Sequence, residues 1–525
     1  MTTGGIVAAG HRATAEAGAE ILKAGGNAID AAIAATCTAF IAEPVLTGAG
    51  GGGFLLLTDG RKHRLFDGFA KMPQTDPKLV PNPDFRAAPV DFGDTVQTFH
   101  VGRASVATPS LMAMLFSVHK EHGKLPILDV LAPAIQAAKS GIRLNHLQAS
   151  LIKLLTPILT HEAECRELHS GELELLGEDE LFRNPDLGRT LEILALEGID
   201  EMYHGDLARE IVRACSPDGL LGMEDMHQQQ VQVRKPLRLK ALDGELLTNP
   251  PPSSGGALIA FCLHLLEALL KEFPDRPFSL LLAEALRAAS LARTHDFDER
   301  VHEPGMEKDF LAAPRLNKSL ASVRNRLYAL DDVPAPQEPA NRHGSTTHIS
   351  VVDKHGMAVS LTSSNGEGSG IVVPGTGIHL NNMLGEEDIN PSGFFSLRGG
   401  ETLSSMMAPS VFVKAGRPAL VLGSGGSNRL RGAILQVLCR HMLDGASIEE
   451  AVHAPRLHNE GELLDAEPGC LSAEEHSLLR GMGWSLREWK QQSIYFGGVH
   501  AIAIDSKGQL TAAGDPRRGG FVARA

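Results

Sequence analysis

The segment Gly344-Ser345-Thr346-Thr347-His348-Ile349-Ser350 constrains this chain more than any other. Upstream of it, residues 331–345 are proline-rich, polar and short of apolar anchors, which predicts a mobile linker. Downstream, residues 347–352 and 357–362 alternate or run apolar about a turn at Asp353-Lys354-His355-Gly356. That pattern predicts a hairpin with Thr346 at its outer start. A threonine so placed becomes an N-terminal nucleophile once the backbone is cut between Ser345 and Thr346. Its hydroxyl needs a base, and the α-amine freed on the same residue, with a reference pKa of about 8, accepts a proton near neutrality. A Thr-Thr pair taken alone is only the β-branched start of an edge strand, so the surroundings decide.

A chain of 525 residues exceeds the usual single-domain range and can bury a large core, as two domains or as one large α/β unit. With 43% hydrophobic and 21% charged residues the composition is that of a globular protein, and the 55 glycines mark tight turns and close backbone approaches. A formal charge of −14, with no basic stripe, argues against a nucleic-acid partner and favours a small-molecule one. The six cysteines (Cys37, Cys165, Cys215, Cys262, Cys439 and Cys470) form no CxxC pair and read as buried thiols of a reducing compartment. The N-terminus lacks the basic-then-apolar pattern of a secretory leader, and the longest apolar stretch, 31–45, is too short to span a bilayer. The expectation is a cytoplasmic protein with no membrane partner.

Residues 13–24 have helical periodicity ending at Gly25-Gly26, and Asn27 caps a second helix over 28–42. Residues 48–53 match GxGxxG, but a helix precedes them and a strand follows, the reverse of a dinucleotide site. Residues 111–142 and 147–215 read as helices with polar breaks. His119 and His122 share a helix face there, but spacing places no third ligand, so no metal is expected. Asn249-Pro250-Pro251-Pro252-Ser253-Ser254-Gly255-Gly256 is a rigid turn opening an apolar helix over 257–271. Residues 418–422 read as a buried strand, 423–428 as a glycine turn and 429–443 as a helix, the context of an anion site at a helix N-terminus. As a nucleotide loop that turn fails, because Asn428 stands where the third glycine belongs.

Taken in order, Gly25 to Ala32, Gly50 to Phe54, Asn249 to Gly256, Thr346 to Ser350, Leu380-Asn381-Asn382, Ser404-Ser405-Met406, Gly423 to Arg429 and Asp515-Pro516-Arg517 resemble the blocks of the γ-glutamyltransferase family of N-terminal nucleophile hydrolases. The resemblance implies an α/β (α+β) fold, a four-layer αββα sandwich of the Ntn-hydrolase type. It also implies a precursor that cuts itself into a large subunit, 1–345, and a small subunit, 346–525, with no cofactor. A homodimer of such processed pairs is left open. Thr346 is then both the autocleavage residue, acting on the Ser345 carbonyl, and the nucleophile toward an amide substrate. Ser364 stands where the family has a threonine that supports the nucleophile, and Gly425 and Gly426 match its oxyanion hole.

Departures from the family pattern bear on the substrate. Phe69 stands where the family's transferases hold the donor α-carboxylate with an arginine, and a phenyl ring makes no bidentate contact. Lys71 and Arg64 are the candidates to compensate. Met383 replaces a polar residue, and Glu386 replaces an aspartate for the α-amine, although the run Glu386-Glu387-Asp388 also reads as a solvated loop. Ser404 and Ser405 match hydroxyls that contact the γ-glutamyl group, and Asn365 matches a family asparagine across a small deletion. The resemblance therefore implies cleavage of a γ-glutamyl amide with transfer to water or an amine. The alternatives are an acylase for a less polar acyl group, such as a β-lactam side chain, and an uncut inactive homologue.

Overall fold

Two antiparallel sheets lie face to face in the computed structural model, which describes residues 4–91, 96–171, 174–293, 295–328 and 344–525. The first has seven strands in the order Phe521–Arg524, Ile6–Ala9, Thr347–Val352, Ala358–Ser364, Gly52–Thr58, His63–Gly68 and Gln232–Arg234. The second has six, in the order Leu510–Ala513, Gly498–Ile504, Arg417–Gly425, Ser410–Lys414, Gly244–Thr248 and Leu237–Ala241.

Period-two alternation assigns each side of the first sheet. Val7, Ala9, Leu55, Leu57, Ile349 and Val351 pack outward with the helices Arg12–Lys23, Ala28–Ala42, Leu111–His122 and Ile127–Ser140. Ile6, Ala8, Phe54 and Leu56 join the other core, which the second sheet shares with Gly255–Glu272, Phe278–Ala292 and Leu430–Met442. Hydroxyls stitch the two sheets together: Ser350 Oγ donates to the His500 carbonyl at 3.0 Å and Ser360 Oγ to that of Leu422 at 2.9 Å. The layers run helix, sheet, sheet, helix, as the resemblance implied. Ala28–Ala42 is apolar nearly all round and is buried along its whole length, closed at its start by a capping box between Asn27 and Asp30.

The hairpin is present as Thr347–Val352 and Ala358–Ser364, but its first strand is not at an edge. Ile6–Ala9 pairs along its other side, from Ile6 opposite Val352 to Ala9 opposite Ile349. Segments 1–345 and 346–525 therefore interleave within the same sheets rather than forming two cores. A cut before Thr346 leaves strand pairings holding the two pieces together. Most of the proline-rich linker lies outside the described residues. Its last residue, Ser345, is buried, against the mobility expected of it.

Candidate active site

Thr346 sits one residue before its strand, and its neighbours fix it from three sides. Thr347 Oγ1 donates to Glu43 Oε2 at 2.6 Å, and Thr14 Oγ1 donates to the other oxygen of Glu43 at 2.8 Å. Burial pushes the Glu43 carboxyl above its ordinary range, while these two hydroxyls pull it back. Arg518 Nη1 donates to the Thr346 carbonyl at 3.0 Å, and its Nη2 reaches the Gly344 carbonyl at 3.4 Å. Gly425 passes so close beneath that a Cβ there would lie 2.1 Å from the Thr346 oxygen, an approach only glycine allows.

The Ser345–Thr346 peptide is polarised at its carbonyl. Ser364 Oγ donates to the Ser345 oxygen at 2.5 Å and accepts from the Gly366 N–H at 2.9 Å, so the hydroxyl is oriented before any reaction. This is the position from which a hydroxyl stabilises negative charge as Thr346 Oγ adds to the carbonyl carbon. In the uncut chain that oxygen takes its hydrogen bond from Ser364, whereas Gly425 bears on the Thr346 carbonyl. Gly426, at φ +118°, lies against the Arg518 guanidinium.

Beside Thr346 lies a cavity of about 30 Å³, enough for a water or two, with Gly344 and Ser345 forming part of its wall. Phe69, Ser364, Met383, Glu386 and Ser405 meet around it as expected. Ser404 and Asn365 do not reach it. Ser404 Oγ donates to the Pro252 carbonyl at 3.0 Å, and Asn365 Nδ2 points to the carbonyls of His379 and Leu380 at 3.2 and 3.4 Å. Both side chains brace the backbone behind the site. Lys71 and Arg64 are engaged elsewhere, Lys71 with the Gln230 carbonyl at 2.9 Å and Arg64 with Glu121 at 3.0 Å. Phe69 is stacked on Phe54 with ring centroids 5.2 Å apart.

The run 386–388 is neither a solvated loop nor uniformly inward. Glu387 is exposed, while Glu386 and Asp388 line the cavity. The helix N-terminus expected to bind an anion meets the chain's own: Asp388 is hydrogen-bonded by Ser427 Oγ and by Asn428 Nδ2, just ahead of Leu430–Met442.

Sequence reasoning missed three residues. Glu367, 2% exposed, accepts from the Ser345 N–H at 2.8 Å through Oε1 and leaves Oε2 buried without a partner. Burial, and secondarily the Asp388 charge, hold its carboxyl far above the usual range; Glu386 is raised by burial and then by Glu367 and Asp388. Asp388 and Arg518 are the others. The one signal for Arg518 is its place directly after the Asp515-Pro516-Arg517 block.

His119 and His122 diverge, His119 Nε2 to the Leu125 carbonyl at 2.8 Å and His122 Nε2 to Arg64 at 3.3 Å. Among the described residues Asp84, His161 and Glu162 could converge on an ion, but Arg86 and Arg103 already occupy Asp84, and Arg103 also occupies Glu162.

Comparison with known proteins agrees with this geometry. The family model for gamma-glutamyltranspeptidase matches residues 14–525. The chain belongs to the gamma-glutamyltranspeptidase family. It is 30% identical to a glutathione hydrolase proenzyme of Pseudomonas aeruginosa, over 98% of this chain and 93% of that one. It is 31% identical to the acylase ACY 1 proenzyme of Pseudomonas sp. strain V22, over 97% and 91%. The crystal structure of a cephalosporin acylase from Bacillus halodurans shares the fold at TM-score 0.82 and 24% identity, covering 99% of this chain and 96% of that one. The αββα layering is thus that of a gamma-glutamyltranspeptidase-family enzyme.

Proposed function

We propose that this chain is a self-processing Thr-nucleophile enzyme that cleaves γ-glutamyl-type amides and passes the acyl group to water or to an amine. The observation that carries the reading is the Ser364 hydroxyl, oriented by Gly366 and seated on the Ser345 carbonyl next to Thr346. In maturation, Thr346 Oγ adds to that carbonyl and its proton passes to the departing Thr346 nitrogen. The C–N bond breaks as the ester forms, and water then hydrolyses the ester, releasing the Ser345 carboxylate and the free Thr346 amine and hydroxyl. With a substrate, the new α-amine takes the hydroxyl proton, Oγ acylates, and the proton leaves with the displaced amine. Water or an acceptor amine resolves the ester.

Glutathione hydrolase proenzymes among the relatives support the γ-glutamyl donor. Phe69 and Met383 favour a second reading, an acylase for a less polar acyl group, to which the acylase ACY 1 relatives also lend support. Turnover of γ-glutamyl-p-nitroanilide by processed protein tests the donor. Rates below those of a phenylacetyl or glutaryl anilide favour the acylase. The six cysteines are all free, which supports a reducing, cytoplasmic location; fractionation of the cells that make the protein tests that.

A further inference from the structure

We propose that the donor is recognised through an ammonium group and needs no free carboxylate, with Glu367 as the second carboxylate, beside Glu386, that receives it. The preferred acyl group is then an ω-aminoacyl chain of the 4-aminobutyryl kind, which is a γ-glutamyl group without its α-carboxylate. This rests on Thr346 being the nucleophile and refines the donor proposed above.

Three observations lead there. First, the charges around the cavity are unbalanced. Among the described residues its lining holds Glu386 and Asp388 but no lysine or arginine, and Lys71 and Arg64 are engaged elsewhere. Asp388 has the helix N-terminus, Ser427 and Asn428, whereas Glu386 Oε1 and Glu367 Oε2 are shielded from water without a hydrogen-bond partner. A carboxylate entering this space would find no lysine or arginine in the lining; an ammonium, with three donors, offers a hydrogen bond to each unpartnered oxygen.

Second, Gly366 keeps the space beside Glu386 clear, and the Glu367 carboxyl is near enough to act on that of Glu386. A Cβ there would lie 2.1 Å from Glu386 Oε1 and 2.2 Å from Asn382 Oδ1, so no side chain can stand in that gap. The same Asn382 oxygen accepts from the Glu367 N–H at 2.9 Å, fixing the acid's backbone.

Third, the uncut chain blocks the acid itself. The Ser345 N–H occupies Glu367 Oε1 at 2.8 Å, and cleavage turns Ser345 into a chain end that is free to withdraw from it. Maturation thus exposes the nucleophile and frees Glu367 in one step. The rest of the wall, Phe69, Met383, Ile389 and Met406, suits the methylenes between ammonium and carbonyl.

The test uses the processed wild-type enzyme with the p-nitroanilides of 4-aminobutyrate, γ-glutamate and glutarate. The expected result is a kcat/KM for 4-aminobutyryl at least equal to that for γ-glutamyl, with glutaryl at least a hundredfold lower. Glu367→Gln should raise KM for 4-aminobutyryl at least tenfold and lower KM for glutaryl, a crossed effect that a structural role would not produce. Should this variant fail to mature, the wild-type comparison still decides. Efficient γ-glutamyl turnover with 4-aminobutyryl at least tenfold poorer overturns this inference and leaves the proposed function standing. Glutaryl as the best of the three overturns the inference and moves the function to the acylase reading.

Discussion

Two buried clusters of charge, both within reach of Arg518, are built on opposite terms. In one, Arg456 pairs with Asp515 at 2.5 Å, and Arg517 donates to Glu467 at 2.7 Å and to Asp515 at 3.2 Å, with all four residues at 6% exposure or less. Two guanidiniums face two carboxylates, and the Val499 N–H and the Val452 and Ala454 carbonyls take further bonds. In the other, Glu386 and Asp388 line the cavity with no cation among the lining residues, and Glu367 stands close enough for its carboxyl to interact with both. Buried charge is tolerable when its partners are in place and costly when they are not. The closed cluster is structural: it fixes the turn that delivers Arg518 to the Thr346 carbonyl. The open cluster carries the cost as carboxyls held above their ordinary range, and the ammonium proposed above would complete it.

The largest effect comes from breaking the closed cluster. Arg517→Ala strands Glu467, leaves Asp515 with Arg456 alone, and should cost about 3–5 kcal/mol in denaturant unfolding, with processing lost as Arg518 shifts. An unchanged midpoint would mean that the network is not what holds the turn.

Next is the carbonyl itself. Ser364→Ala removes the side-chain hydroxyl that donates to the Ser345 oxygen and should slow maturation about a hundredfold, while Ser364→Thr should preserve it. Time courses on denaturing gels measure both, and equal rates for the alanine variant and wild type would remove Ser364 from the mechanism.

The open cluster predicts a pH dependence. The Glu367 carboxyl, near 4.5 when unfolded, is raised to about 8 by burial. Its folded state binds the extra proton, so its contribution is fully present below pH 4.5 and is lost as pH rises through about 8. Uncut Thr346→Ala protein should lose stability as pH rises across that window, and Glu367→Gln in the same background should flatten the slope. A melting temperature that rises over the window would contradict the assignment.

The smallest effect is a gain. Phe69→Arg places a cation in the open cluster and should improve γ-glutamyl turnover about tenfold relative to 4-aminobutyryl, near the value of one charge-assisted hydrogen bond. No change in that ratio, in enzyme that still matures, would mean that the donor carboxylate does not bind near residue 69.

Sequence alone makes legible what depends on local pattern. The helix over 28–42, the strand-turn-helix near 423–428 and the hairpin after Thr346 follow from periodicity and caps, and they came out within a few residues. That the hairpin's first strand is internal is not readable there, because its neighbour Ile6–Ala9 comes from the far end of the chain. In the site, Thr346 and Ser405 sit in motif blocks whose order carries their position, and Phe69, Ser364, Met383 and Glu386 are placed by the family pattern in the segments between those blocks. Glu367 sits in a local deletion with nothing in its neighbours to mark it, and its role comes from burial and from the Ser345 N–H, both tertiary facts. Asn365 and Ser404 show the converse: a matched residue type whose side chain the fold uses to hold backbone.

The central claim is that Thr346 cuts the chain and then acts as the nucleophile. Intact mass of freshly purified protein beside Thr346→Ala tests it most directly. The account predicts two pieces, residues 1–345 and 346–525, from the wild type and a single species near 55.9 kDa from the variant. One uncut species from both proteins would contradict it, leaving a family fold without the chemistry.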